Sequence, residues 1–223
     1  MSFHSLRTNL IAACAFTVVA FAQPNVTYDT VFQVRYVANL NLGDSVINIT
    51  NTGLNGAGLA AGTSAATTGA ICVNVYAFSP DEQMISCCSC PVTPNGLVSL
   101  SARRDLVNNT LTPAVPTAIV VKLLGSAPIG GNSCASSAAT ATTLVNGFLA
   151  WGTTAHAGAL PGSAPVLTET AFLPATLSTL APTAADISEL GRLRNLCTFI
   201  NANGSGFGIC GSCRLGGLGA GRL

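Results

Sequence analysis

The chain has 223 residues but only nine Lys and Arg against eight Asp and Glu, so charged residues make up 8% of it, where a soluble globular domain has about a quarter. A net charge of +1 with no cluster of bases lacks the concentrated positive field that nucleic acid or an anionic membrane requires, and no such partner is expected. The surface must be covered by Ser, Thr, Asn, Gly and Ala, the composition of exported surface-layer, pilus-like and adhesive proteins whose neutral faces pack with little repulsion.

Residues 1–22 read as an export leader, with His4 and Arg7 in a short polar start, an apolar run from Leu10 to Phe21, and Ala20-Phe21-Ala22 as the cleavage site before Gln23. Ile11-Ala12-Ala13-Cys14 has the form of a lipoprotein cleavage box, but the apolar core ahead of Cys14 is short and the run continues past it, which favours cleavage after Ala22. The apolar run is too short for a spanning helix of about 20 residues, so no transmembrane segment is expected. Residues 23–223 are then one exported domain, destined for the extracellular space, the cell surface or the periplasm.

Across residues 30–39, Phe32, Val34, Tyr36 and Ala38 alternate with Gln33, Arg35 and Val37, the pattern of a half-buried strand. Residues 45–50 give a second strand, and after the turn Asn41-Leu42-Gly43-Asp44 the simplest arrangement makes the two antiparallel neighbours. Residues 54–69 are a Gly/Ala/Thr-rich loop without periodicity. Next comes the densest chemistry in the chain, a hairpin over 70–78 and 82–90 joined by Ser79-Pro80-Asp81-Glu82 and ended by Pro91, which lacks a ladder donor.

Pro94-Asn95-Gly96 is a turn, and residues 99–109 predict a short helix capped by Ser99 or Ser101 with Leu106 inward. Residues 117–124, TAIVVKLL, are apolar on both faces and predict a central strand. A Gly/Ser/Ala/Thr loop over 127–143 carries Cys134; strands follow over 144–155, with the single Trp151, and 166–172. After Pro182, Thr183 and Asp186 approximate a capping box, and Ile187, Leu190, Leu193, Cys197 and Ile200 fall on one face of a helix stopped at Asn203-Gly204.

Removing Cys14 with the leader leaves eight cysteines: Cys72, Cys87, Cys88, Cys90, Cys134, Cys197, Cys210 and Cys213. An even count in an exported chain predicts four disulfides, which sequence alone can connect in 105 ways. A bridge from the Gly-rich tail to the hairpin is the most useful, because that tail cannot hold itself down by burial. Two other readings use the same residues. Cys87, Cys88 and Cys90 with Cys210 and Cys213 have spacing for a thiolate zinc or copper(I) site, and Cys210-Gly211-Ser212-Cys213 has the form of a redox pair. An oxidising compartment favours structural bridges, so no metal and no cofactor is expected.

His156 is the only histidine after the leader, so a hydrolase would rest on it with an acid such as Asp105, yet no G-x-S-x-G elbow is present. Glu169 with Asp44 is a nominal carboxylate pair for glycoside hydrolysis, though eight acids always offer such pairs. Four N-x-S/T sites start at Asn25, Asn48, Asn108 and Asn203, and have meaning only in a eukaryotic source.

The blocks NLNLGDSVINITNTG, ICVNVYAFSPDEQMISCCSCPVTPNGLVSLSARRDLVNNTLTPAVPT and FINANGSGFGICGSC resemble uncharacterised exported proteins of soil Acidobacteriota, with C-C-x-C-P and G-I-C-x-x-C as the distinctive motifs. The resemblance implies a bacterial exported origin and carries no activity. The sequence therefore predicts a mainly β, sandwich-like, disulfide-stapled domain with one C-terminal amphipathic helix. Its expected role is structural and non-enzymatic, its only expected partner is itself, and no catalytic residue or small-molecule ligand is expected.

Overall fold

The computed structural model describes residues 31–57, 68–107, 114–129, 133–181, 183, 186–204 and 210–215, the side chains of 214 and 215 excepted. The leader, Cys14, most of the 54–69 loop, Asn108-Asn109 and Pro182 lie outside the described residues. No described helix is long and apolar enough to cross a membrane.

The described chain is mainly β. Its strands are β1 (Phe32–Val37), β2 (Val46–Asn51), β3 (Ile71–Phe78), β4 (Met84–Val92), β5 (Leu97–Ser101), β6 (Ile119–Ser126), β7 (Phe148–His156), β8 (Val166–Ala171) and β9 (Leu173–Pro174), followed by one helix, α1 (Glu189–Ala202). They form two antiparallel sheets, a five-stranded one in the order β4-β3-β6-β1-β9 and a four-stranded one in the order β5-β2-β7-β8. As its apolar run predicts, β6 is central. The chain changes sheets at the buried Phe172, between β8 and β9.

The two sheets enclose the first of two cores, with Val73, Val75, Val121 and Leu123 on one side and Ile47, Ile49, Leu100 and Phe148 on the other. Part of the opposite face of the five-stranded sheet is also buried. There Tyr76, Phe78 and Cys87 meet Leu190, Leu193, Cys197 and Ile200 of α1. Every residue of β3 is accordingly buried, and its two apolar stripes belong to different cores. The only lysine, Lys122, holds the start of α1 by reaching Glu189 at 2.5 Å while lying 4.9 Å above the Phe78 ring, which Arg192 approaches at 5.3 Å.

The hairpin β3–β4 forms as expected, with Val73 opposite Cys90, Val75 opposite Cys88 and Tyr76 opposite Cys87. Pro91 does not end it. Strand β4 continues to Val92, with Pro91 opposite Cys72, because β4 lies at the edge of its sheet, where a missing N–H disrupts no central ladder.

The remaining differences have physical causes. Strands β1 and β2 are not neighbours: β1 pairs with β6 and β2 with β5 and β7, so the turn between them crosses from one sheet to the other. The expected helix over 99–109 is mostly strand. β5 runs to Ser101, whose hydroxyl then caps a five-residue π-helical turn, Ala102–Leu106, with Leu106 fully buried.

Thr183 and Asp186 bond to each other and close a turn, leaving Ile187 half exposed ahead of the helix; the cap is Ser188, which accepts from Gly191 N at 3.1 Å. The expected stop holds: Asn203 caps α1, and Gly204 takes φ +80°, a conformation that favours glycine.

Candidate functional site

Adjacent residues of a strand point to opposite faces, and β4 uses this with its cysteines. Cys87 faces α1 and is bridged to Cys197. Cys88 and Cys90 face the other way and are bridged to Cys210 and Cys213. Cys72 of β3 is bridged to Cys134 in the loop ahead of β7. All eight candidate cysteines are thus at disulfide distance in four pairs, and two of the bridges tie the tail to the hairpin. Four bridges belong to an oxidising setting.

Cys210 and Cys213 are bonded to β4 and not to each other. The sulfurs of Cys90, Cys210 and Cys213 nonetheless lie within 4.8 Å of one another, so three of the five cysteines of the expected metal cluster are brought together, held as disulfide sulfurs, while Cys87 lies on the other face of the sheet. Between the two bridges the tail makes a backbone bond from Cys210 N to Ser89 O of 3.1 Å. Asp105, whose side chain is wholly buried, accepts from Ser101 N at 2.8 Å, Ser212 N at 3.2 Å and the Ser212 hydroxyl.

The nominal catalytic groups are dispersed. His156, exposed at the end of β7, bonds Thr168 Oγ1 through Nε2 at 2.8 Å, while Asp105 is committed to Ser101 and Ser212. Asp44 accepts from the Ser101 hydroxyl on β5 and Glu169 lies on β8, at opposite edges of the four-stranded sheet. The two carboxylates share no hydrogen-bond partner among the described residues: Asp44 takes Ser45 N, the Ser101 hydroxyl and Arg103 N, and Glu169 takes Asn48 Nδ2.

What the structure does assemble is a row of polar groups ending on a carboxylate, on the solvent face of that sheet. Ser99 Oγ donates to Asn48 Oδ1 at 2.7 Å, and Asn48 Nδ2 donates to Glu169 Oε1 at 2.8 Å, beside Trp151, which is paired with Asn48 and Ala171.

The chain matches no protein-family model, no curated protein and no solved structure.

The sheet edges differ in how they are covered. The tail bonds β4 through Ser89, and the turn Gly211–Leu215 lies against β5. Strand β8 has all six residues exposed, Val166 at 57% and Leu167 at 58%, and among the described residues no strand pairs with its outer edge. On the same side of the molecule β1 meets β9 only at Gln33 and Val34, which leaves Arg35 and Tyr36 beside a groove of about 490 Å³.

Strand β1 also inverts its expected orientation. Gln33, Arg35 and Val37 face the space between the sheets, and Tyr36 is 63% exposed. The amide of Gln33 donates to Phe148 O at 3.0 Å, and the Arg35 guanidinium passes over Gly152, where a Cβ would come within 2.3 Å of Nη1. Burial pulls the Arg35 pKa down from its ordinary value, and the nearby Glu169 charge pushes it back up. Alternation alone assigned these polar residues to solvent; no sequence signal marks Arg35 as interior.

Proposed function

We propose that the protein is an exported, non-enzymatic structural or surface protein that associates with copies of itself through the edge of β8. The observation that carries this reading is the contrast between edges: natural sheets shield their edges with Pro, charged side chains, bulges or covering chain, and β8 has a single charge, Glu169, and none of the others over its length. An antiparallel pairing about a two-fold axis centred between Thr168 and Glu169 sets Val166 opposite Ala171 and Leu167 opposite Thr170. Glu169 then faces Thr168 of the second copy and no like charges meet. The low overall charge removes the repulsion that keeps other soluble domains apart.

The test is light scattering coupled to gel filtration over a range of concentrations. Wild type is expected to approach twice the monomer mass, with Leu167→Lys and Thr168→Lys monomeric. A wild-type chain that stays monomeric at every concentration rejects self-association, and a dimer indifferent to both lysines rejects the β8 edge as its contact.

The thiolate alternative draws on the Cys90, Cys210 and Cys213 cluster and requires those bridges to be open. Free-thiol titration and metal analysis of natively purified protein separate it from the structural reading. A hydrolase that uses His156 would lose its activity in His156→Ala.

A further inference from the structure

The groove between β1 and β8–β9 holds a positive charge that no carboxylate contacts among the described residues, Glu169 acting on it only from beyond ion-pair distance. Arg35 donates through Nε to Thr170 Oγ1 at 3.2 Å, through Nη2 to Thr154 Oγ1 at 2.9 Å and to Thr170 Oγ1 at 3.0 Å, and through Nη1 to Thr153 O at 3.3 Å. All these acceptors are neutral. Among the described residues no carboxylate lies within ion-pair distance of Arg35, although the residue is only 8% exposed. Buried charges are ordinarily paired.

The two threonines decide what the groove can take. A hydroxyl has one proton, and one that accepts from a guanidinium must point its own O–H elsewhere. Thr154 and Thr170 both accept from Arg35, and among the described residues neither hydroxyl has an acceptor of its own. Both line the groove with Arg35, whose charge polarises them, while Val34, Leu173 and Pro174 supply apolar walls. The result is two O–H donors backed by a cation and set beside apolar surface.

We propose that this groove is a binding site for an organic monocarboxylate, with the carboxylate oxygens accepting from Thr154 and Thr170 against the Arg35 charge and the apolar body lying along Leu173 and Pro174. The cavity of about 490 Å³ is large enough for a body well beyond acetate. Gly152 is the residue that permits the site, since any side chain there would displace the guanidinium. The site does not depend on self-association, and it takes ligand from the monomer.

The experiment is titration of dilute, monomeric protein with benzoate and, separately, with acetate, sulfate and chloride at matched ionic strength. It is followed by calorimetry and by amide chemical shifts of β1, β7 and β8. Saturable benzoate binding with shifts confined to these strands is expected, weaker for acetate and absent for chloride.

Thr154→Val and Thr170→Val each remove one donor and keep the shape. They are expected to weaken benzoate by about tenfold or more, as loss of a hydrogen bond to a charged group does. Thr168→Val, on the same strand, is expected to bind as wild type. Because Thr170→Val also takes an acceptor from Arg35, its fold is checked by the amide spectrum, and Thr154→Val carries the test if that spectrum collapses. No saturable binding, equal responses to all four anions, or benzoate affinity unchanged in Thr154→Val each overturns the site. Equal binding of benzoate and sulfate replaces the monocarboxylate with a general anion and refutes the ligand class.

Discussion

Replacing Asp105 by Asn tests how the tail is held. The carboxylate is buried and acceptor-only: one oxygen takes Ser101 N at 2.8 Å and the Ser212 hydroxyl, and the other takes Ser212 N at 3.2 Å and Arg104 Nε at 3.4 Å. An amide of the same shape has one acceptor and one donor. Whichever way it is turned, its NH₂ faces a backbone N–H, from Ser101 or from Ser212. Leaving a buried donor unsatisfied costs about 1–3 kcal/mol, and the loss of charge-assisted bonding adds to this, so Asp105→Asn is expected to destabilise by about 2–4 kcal/mol. At this size each kcal/mol lowers Tm by about 2–4 °C, giving a fall of roughly 4–16 °C by calorimetry. With the disulfides intact the protein stays folded at room temperature, and hydrogen exchange is expected to accelerate at the Ser101 or Ser212 amide before it does so in β3. A Tm within a degree of wild type, with both amides still protected, would refute the assignment of Asp105 as the tail's anchor.

The Cys87–Cys197 bridge spans 110 residues, and the chain-entropy model assigns about 5 kcal/mol to a loop of that length; Cys87→Ala with Cys197→Ala is expected to lose stability on that scale in a urea titration, with α1 exchanging first. Glu189 supplies a pH dependence. Burial raises its pKa, but bonds from Arg192 and Lys122 outweigh burial, so the folded value lies below the ordinary 4.5. Its contribution is therefore complete above about pH 4.5 and is lost as pH falls through the lower folded value. In a Tm series from pH 6 downward, the gap between wild type and Glu189→Gln is expected to narrow only below that point, and a constant gap would contradict the ion pair.

The sequence displayed most strands and the helix because their signals are local. The β-branched run in β6, the alternation and turn residues of the hairpin, and the apolar face of α1 depend on neighbours a few positions away. Partnership does not. Nothing local separates β1 and β2 into different sheets, since that depends on where β6 and β7 return.

The inversion of β1 has the same origin. Its alternation is symmetrical, and both faces are buried at different points: Phe32 beneath the helix side, Val37 between the sheets. Only the position of Gly152 and the threonines of β7 and β8 makes an inward Arg35 tolerable, and these lie more than a hundred residues away. The cysteine pairing was legible as a count and as a link from tail to hairpin. The individual partners became visible once Cys87 and Cys88 were placed on opposite faces of one strand.

That placement also orders events in time. The cysteines of β4 are separated from their partners by 110, 122 and 123 residues. A chain crossing a membrane N-terminus first delivers Cys87, Cys88 and Cys90 long before any of the three can find its mate. Cys72 and Cys134, 62 residues apart, are the one native pair complete by mid-passage. Until the last stretch emerges, three neighbouring thiols stand open to oxidation and to wrong partners. On the proposed export, native closure of the β4 bridges waits for residues 197–213 to arrive, and any earlier wrong pairing is undone only by thiol exchange in the receiving compartment.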